Sequence, residues 1–208
     1  PGQRTAMTRA VAFGWVRAGQ TTRARAALSA AGADGDSSDA AGWLALYDGD
    51  LKTARALLRS GTESSPEVAL AMGLVARVRA DSAPIIGQAF LALARADTVL
   101  AARRFADAAP QTREAASLLL LVAARLHAAR GEDAEALALW RQVAEGHATT
   151  PEAPEAELEW ARVLIKRGDL AAGVAKLEHL ILTFPQSALV PQARRELDAA
   201  RRGIPDAA

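Results

Sequence analysis

The feature that most constrains the fold is a short turn motif that recurs along the chain. The strings Asp48-Gly49-Asp50-Leu51 and Arg167-Gly168-Asp169-Leu170 are near copies, and looser versions occupy residues 18–21 and 130–133. A further version at residues 96–98 has alanine in place of the glycine. A glycine can end one helix in the left-handed conformation, and an aspartate after it can cap the next helix. Each motif therefore predicts a hairpin of two antiparallel helices.

Residue size repeats in register with these turns. Alanine or glycine stands seven residues before and five residues after every turn position, where the two helices of a hairpin are expected to cross. These residues are Ala12, Gly42, Ala89, Ala124 and Ala161 before the turns, and Ala24, Ala54, Ala101, Ala136 and Gly173 after them. Large apolar residues that would fill the groove to the next hairpin stand nine residues after the turns, at Leu28, Leu58, Phe105, Trp140 and Leu177.

This register resembles that of the tetratricopeptide repeat family. The family's repeat unit also places a small residue in each helix of a hairpin and a bulky residue later in the second helix. It often ends on a proline, and Pro66 and Pro185 fall on that position. The resemblance implies an all-α protein, a right-handed α-solenoid of about five degenerate hairpins with one extra helix and a C-terminal capping helix.

The hairpins are expected to form one continuous domain. We predict two hairpins over residues 1–65, an extra helix over 66–81, three hairpins over 82–187, and a capping helix with a tail over 188–208. The extra helix lies in the widest gap between turns, and the sequence leaves open whether it pairs with the helix that follows. The predicted helices span residues 5–18, 20–31, 38–48, 50–60, 66–80, 84–95, 98–109, 112–129, 132–146, 153–167, 169–183 and 188–202.

Composition and charge exclude several classes of protein. The net charge is +1, whereas a general nucleic-acid binder would usually carry a strong basic excess. The longest apolar stretch, residues 115–124, is too short to span a bilayer. We therefore predict that the chain neither binds nucleic acid nor contains a transmembrane segment.

Motifs for catalysis or metal binding are absent from the sequence. Cysteine is missing, no two of the three histidines have metal-ligand spacing, and no phosphate-binding loop or nucleophile motif occurs. A run of four glutamates at residues 152–159 opens a helix, where carboxylates are favoured by the helix dipole. We predict no enzymatic activity, no cofactor and no metal ion.

A candidate binding surface follows from the family resemblance. In tetratricopeptide repeats the first helix of each hairpin lines a concave groove. Aromatic and arginine side chains are the usual hot spots of protein interfaces. Trp43 and Tyr47 share one helix face, and packing against a neighbouring helix is the alternative for this pair. The resemblance implies partner-binding roles for Arg9, Phe13, Arg17, Trp43, Tyr47, Phe90, Arg125, Arg162 and Lys166.

A second resemblance concerns the segment Thr183-Phe184-Pro185-Gln186-Ser187-Ala188 and the helix after it. It is similar to the link in bacterial cell-envelope repeat proteins, such as the Tol-Pal-associated coordinator and the outer-membrane assembly lipoproteins. This likeness implies a periplasmic or membrane-peripheral protein, with the cytoplasm as the alternative.

Together these features favour a non-catalytic scaffold that binds a protein or peptide partner, including one embedded in a membrane complex. A fixed peripheral subunit of a membrane protein complex is one alternative. A helical accessory domain of an envelope enzyme is the other.

Overall fold

The computed structural model describes residues 2–32, 39–61 and 65–202. Within these ranges the chain forms twelve α-helices and two short 3₁₀ helices, with no β-strand. The protein is therefore all-α. The α-helices are α1 Gly2–Arg17, α2 Thr21–Ala31, α3 Asp39–Asp48, α4 Leu51–Ser60, α5 Pro66–Arg77, α6 Pro84–Ala94, α7 Thr98–Ala108, α8 Ala116–Ala129, α9 Asp133–Gly146, α10 Ala153–Lys166, α11 Leu170–Thr183 and α12 Val190–Arg202.

Each predicted helix is present, with small differences at the ends. The largest difference is at α8, which begins at Ala116 because the residues before it form 3₁₀ turns at 109–111 and 113–115. The predicted tail from residue 203 onward lies outside the described residues.

All five turn positions adopt the left-handed backbone conformation that the motif predicts. The φ angles are 65° at Gly19, 77° at Gly49, 76° at Gly131 and 85° at Gly168. Ala96 has a φ of 58° and is the one non-glycine among the described residues with a positive φ. The fold therefore imposes the same turn where glycine is missing.

The aspartates of the motif cap the second helix of their hairpins. Asp97 accepts a hydrogen bond from the backbone N–H of Leu100 at 2.9 Å. Asp50 and Asp169 make the equivalent bonds, at 3.0 Å and 3.2 Å. The backbone N–H of Thr53 holds the pKa of Asp50 below its usual value. Gln20 and Glu132, at the same place in two other turns, make no side-chain cap.

The helices of four predicted hairpins, α1–α2, α3–α4, α6–α7 and α10–α11, pack against each other. All ten small residues are buried, and each of the eight alanines among them has no exposed surface. At Gly173 the helices approach closely, since a Cβ atom would lie 2.5 Å from Cγ1 of Ile165 and 3.2 Å from the carbonyl oxygen of Ala161. The large residues predicted between hairpins are buried as well.

The chain divides into two compact units, Pro1–Leu119 and Leu120–Ala208. In the first unit, α1, α3 and α6 lie side by side, and each packs against the helix that completes its hairpin. The extra helix α5 packs against α4, so α3 contacts α6 directly across the insertion. The sequence left open which helix α5 pairs with, and in the structure its partner is α4.

In the second unit, α10 packs between α9 and α11, and α12 packs against α11. The buried side of α12 contributes Val190, Ala193 and Leu197 to the core of this unit. Its arginines, among them Arg194 and Arg201, are exposed. The last helix thus covers apolar surface and presents charged side chains outward, as a capping helix should.

Candidate partner-binding clefts

Four of the nine predicted contact residues come together in the first unit. Arg17, Trp43, Tyr47 and Phe90 line one cleft of about 260 Å³, which Glu67, Leu93 and Ala94 complete. Helices α1, α3, α5 and α6 supply these side chains. The other two predicted residues of this unit, Arg9 and Phe13, are half-buried on α1 and do not line the cleft.

An aromatic cluster forms the floor of this cleft. The Trp43 ring lies 5.9 Å from that of Tyr47 and 6.2 Å from that of Phe90, and Phe90 meets Phe105 edge to face at 5.4 Å. Trp43 and Phe90 are each 2% exposed, and Tyr47 is 6% exposed. Edge-to-face and tilted contacts of this kind stabilise aromatic cores.

These three aromatic side chains, for which the family resemblance implies partner-binding roles, are therefore buried. Because α3 lies directly between α1 and α6, neighbouring helices cover its aromatic side chains on both sides. Packing against neighbouring helices, the alternative for Trp43 and Tyr47, is the arrangement in the structure.

The mouth of the cleft is charged. The Arg17 guanidinium lies 5.5 Å from the centre of the Trp43 ring and forms an ion pair with Glu67 at 3.3 Å. Both charged side chains are more than one-third exposed. Beneath them, the Tyr47 hydroxyl donates a hydrogen bond to the carbonyl oxygen of Val16 at 3.2 Å.

Glu67 is a cleft residue that sequence reasoning missed. It lies in the first turn of the inserted helix α5, and its own backbone N–H is the main reason that its pKa is lowered, with Arg17 contributing. Its place at the cleft follows from the packing of α5 against α4, which no local pattern indicates.

The remaining predicted residues lie in the second unit, and each has a carboxylate partner. Arg125 on α8 donates from Nε to Glu155 on α10 at 2.7 Å. Lys166 Nζ donates to Asp133 at 2.7 Å. These partners were not predicted, since residues about thirty positions apart meet only once the helices are packed.

Arg162 is the most strongly held of the three. Its Nε donates to Oε2 of Glu196 on α12 at 3.0 Å, and its Nη1 donates to Glu159, one turn earlier on α10. The hydrogen bond to Glu196 raises the pKa of Arg162, and the same bond lowers the pKa of Glu196. The guanidinium is therefore fixed in orientation by two carboxylates.

A mainly apolar pocket lies beside this cluster. Its volume is about 390 Å³, and Ile165, Leu170, Ala199 and Ala200 line it together with Arg162, Lys166 and Glu196. Thus the structure brings Arg162 and Lys166 to one pocket, whereas Arg125 does not line it.

The glutamates that open α10 have separate partners and do not converge on one site. Glu155 pairs with Arg125, and Glu159 pairs with Arg162. Glu157 is 2% exposed and lies 2.6 Å from Nδ1 of His179, and its burial raises its pKa. Across the part of the chain that the structure describes, no group of three or more histidine, aspartate or glutamate side chains could hold a metal ion.

Comparison with protein-family models gives no match, and comparison with curated proteins also gives none. Among the described residues, no helix has the length and apolar character needed to cross a membrane.

Proposed function

We propose that this chain is a non-catalytic protein–protein interaction scaffold of the tetratricopeptide type. The observation that carries the proposal is the cleft of the first unit, which has an aromatic floor and a charged mouth. Binding pockets are typically concave, mainly apolar and edged by a few polar groups. The cleft has all three properties. It is lined in part by α1, α3 and α6, the helices that carry the predicted partner-binding residues of this unit.

The cleft suits one apolar side chain of a bound protein segment. Its floor of Trp43, Tyr47 and Phe90 is already packed against neighbouring side chains, so binding would order few side chains at this point. Arg17 and Glu67 at the mouth offer a donor and an acceptor to the backbone or polar groups that flank the anchor. The pocket beside Arg162 offers the second unit a contact of the same kind.

A selected peptide tests this proposal. Short random peptides are displayed and selected against the whole protein, and their affinities are then measured by fluorescence anisotropy. Ala94→Phe places a ring inside the cleft without removing any aromatic side chain of the floor. We expect this variant to lose at least about tenfold in affinity, which corresponds to about 1.4 kcal/mol.

Ala56→Phe is the matched control, because Ala56 is exposed on α4 and does not line the cleft. Selected peptides should bind this variant as they bind the parent protein. Peptides that bind the Ala94→Phe variant with unchanged affinity would show that the cleft is not the binding site.

The proposed location is the bacterial cell envelope, in the periplasm or at the membrane surface. Its support is the likeness of residues 183–188 to the link of envelope repeat proteins. In this chain the link places Phe184 against the core of the second unit and borders a cavity of about 570 Å³ with residues 148–151. Fractionation of bacteria that express the native gene tests the proposal, and recovery in the cytosol alone would refute it.

A further inference from the structure

Three side chains of the second unit form a hydrogen-bonded series that ends in a hydroxyl group. Glu157 on α10 lies 2.6 Å from Nδ1 of His179, and Nε2 of the same ring lies 3.2 Å from Oγ1 of Thr183. His179 and Thr183 are four residues apart on α11, so they share one helix face. Because α10 packs against α11, Glu157 reaches that face from the neighbouring helix. We call these three residues the α11 relay.

The relay runs from the core of the unit to its surface. The Glu157 side chain is 3% exposed and the His179 side chain is 59% exposed, and Thr183, the last residue of α11, is exposed as well. A carboxylate that accepts the Nδ1–H of a histidine orients the ring and leaves the lone pair on Nε2. Here that lone pair faces the Thr183 hydroxyl. Carboxylate, imidazole and hydroxyl in this order make the hydroxyl oxygen a better nucleophile.

Charge near the relay acts on Glu157 in two directions. Burial raises the pKa of Glu157, whereas the nearby His179 and Lys176 lower it in part. The Lys176 ammonium lies 3.7 Å from the centre of the Trp160 ring. An ion pair that only ties α10 to α11 would need no more than the contact between Glu157 and His179. The further contact from Nε2 to a hydroxyl group is what a nucleophile requires.

Thr183 also lines a cavity, which gives a small molecule a place beside the relay. The cavity of about 570 Å³ lies between the link at residues 184–187 and the loop at residues 148–151. The described residues that line it are apolar or carry neutral hydroxyl and amide groups, and none is charged. A charged ligand would lose hydration there without gaining a counter-charge. The lining therefore favours an uncharged ligand.

We propose that Thr183 is a modification site that accepts the acyl group of a small uncharged ester or thioester. The Thr183 oxygen attacks the carbonyl carbon of the donor while Nε2 of His179 takes the hydroxyl proton. The bond from the carbonyl carbon to the leaving oxygen or sulfur then breaks, and His179 passes the proton to the leaving group. The products are an acyl ester on Thr183 and a free alcohol or thiol.

This site is separate from the proposed binding cleft. The relay and its cavity belong to the second unit, whereas the cleft belongs to the first. One transfer to each chain modifies the scaffold and leaves its proposed binding role unchanged. The inference therefore does not rest on the proposed function.

An uncharged acetyl donor, p-nitrophenyl acetate, tests the proposal on the whole protein. Intact-mass spectrometry follows the addition of acetyl groups, and peptide mass spectrometry locates them. We expect acetylation at Thr183 that hydroxylamine removes, because hydroxylamine cleaves esters and leaves acetyl-lysine in place. An ester with the same leaving group but a carboxylate on its acyl chain should label Thr183 at least about tenfold more slowly.

Variants separate the relay from the general reactivity of exposed side chains. Thr183→Val keeps the shape of the side chain and should lose the ester label, and Thr183→Ser should restore it. His179→Gln should slow labelling of Thr183 by at least about a hundredfold, the lower range for a general base. Thr149→Val is the matched control, since Thr149 lines the same cavity and is not part of the relay; this variant should be labelled like the parent. Circular dichroism checks that each variant keeps its helicity.

Glu157 is a positioning residue in this proposal, because it acts through His179. The glutamine of Glu157→Gln is neutral and can either accept from Nδ1 or donate to it, so the ring proton is no longer held on Nδ1 alone. Labelling of Thr183 should slow by at least about tenfold, while acetylation of lysines stays the same. The ¹⁵N resonances of the His179 ring report the change of tautomer, which a purely structural role of Glu157 does not produce.

Three results would overturn the proposal. The first is acetylation that is confined to lysine side chains and the chain terminus of the parent protein. The second is a Thr183→Val variant that carries as much hydroxylamine-sensitive label as the parent. The third is a His179→Gln variant that keeps its fold and is labelled at Thr183 at the parent rate.

Discussion

Replacing Ala96 with glycine should stabilise the protein, although it removes a side chain. Ala96 has a φ of 58° in the turn between α6 and α7, and the left-handed conformation costs an L-residue about 1–2 kcal/mol. Glycine avoids this cost but loses about 0.5–1 kcal/mol more backbone entropy on folding. Ala96 is exposed, so its methyl group contributes little burial. The net expectation is a gain of about 0.5–1 kcal/mol.

The reciprocal change provides the control. At Gly131 the φ is 76°, and an added Cβ atom would meet nothing within 4 Å, so Gly131→Ala introduces backbone strain without a clash. It should destabilise the protein by about 0.5–1 kcal/mol. Gly49→Ala should cost more, because its Cβ atom would lie 2.6 Å from the Cα of Pro84.

Urea unfolding followed by far-ultraviolet circular dichroism measures all three variants. Equal or lower stability of Ala96→Gly, together with a measurable cost at Gly131→Ala, would refute the reasoning. That result would mean that the turn at residue 96 is not strained in the same way as the glycine turns.

Further predictions concern the core and its ionisable groups. Gly173→Leu should destabilise by about 1–3 kcal/mol in urea unfolding, because its side chain must displace Ile165 at the crossing of α10 and α11; an unchanged midpoint would show that the crossing is looser than described. Trp43→Ala should cost about 3–5 kcal/mol by the same measurement, since it removes a buried ring, and a loss of binding without a loss of stability would contradict this. Burial raises the pKa of Glu157 in the folded protein. Protonation of Glu157 therefore contributes to the free energy of unfolding below the unfolded-state pKa, and this contribution is lost as pH rises through the folded-state pKa. Glu157→Gln keeps an acceptor for His179 and stays neutral, so its free energy of unfolding should rise relative to that of the parent as pH increases above the ordinary pKa of a glutamate; a difference that stays constant with pH would count against it.

The sequence predicts the helices and hairpins because the signals for them are local. A glycine and an aspartate at one turn suffice to end one helix and cap the next, as Asp97 does for α7. The crossings are predictable for the same reason, since Gly173 and its equivalents stand at fixed distances from the turn. Even Ala96 adopts the expected geometry, because the helices on both sides of it require that turn.

The candidate site is less predictable because it depends on contacts between distant segments. The family pattern places Trp43 on a groove-lining helix, but it cannot show that α6 packs directly against α3 when a helix is inserted between hairpins. That packing buries the ring. Glu67 reaches the cleft mouth for the same non-local reason, and the pairing of Arg162 with Glu196 requires α12 to be in place.

The most direct test of the proposed binding cleft uses the four tryptophans of the chain. Their indole N–H resonances are followed by ¹H–¹⁵N nuclear magnetic resonance while a selected peptide is titrated into the protein. The account predicts that the Trp43 resonance shifts and saturates with the affinity measured by anisotropy, while Trp140 and Trp160 in the second unit stay in place. Saturable shifts of Trp140 or Trp160 with an unmoved Trp43 would contradict it.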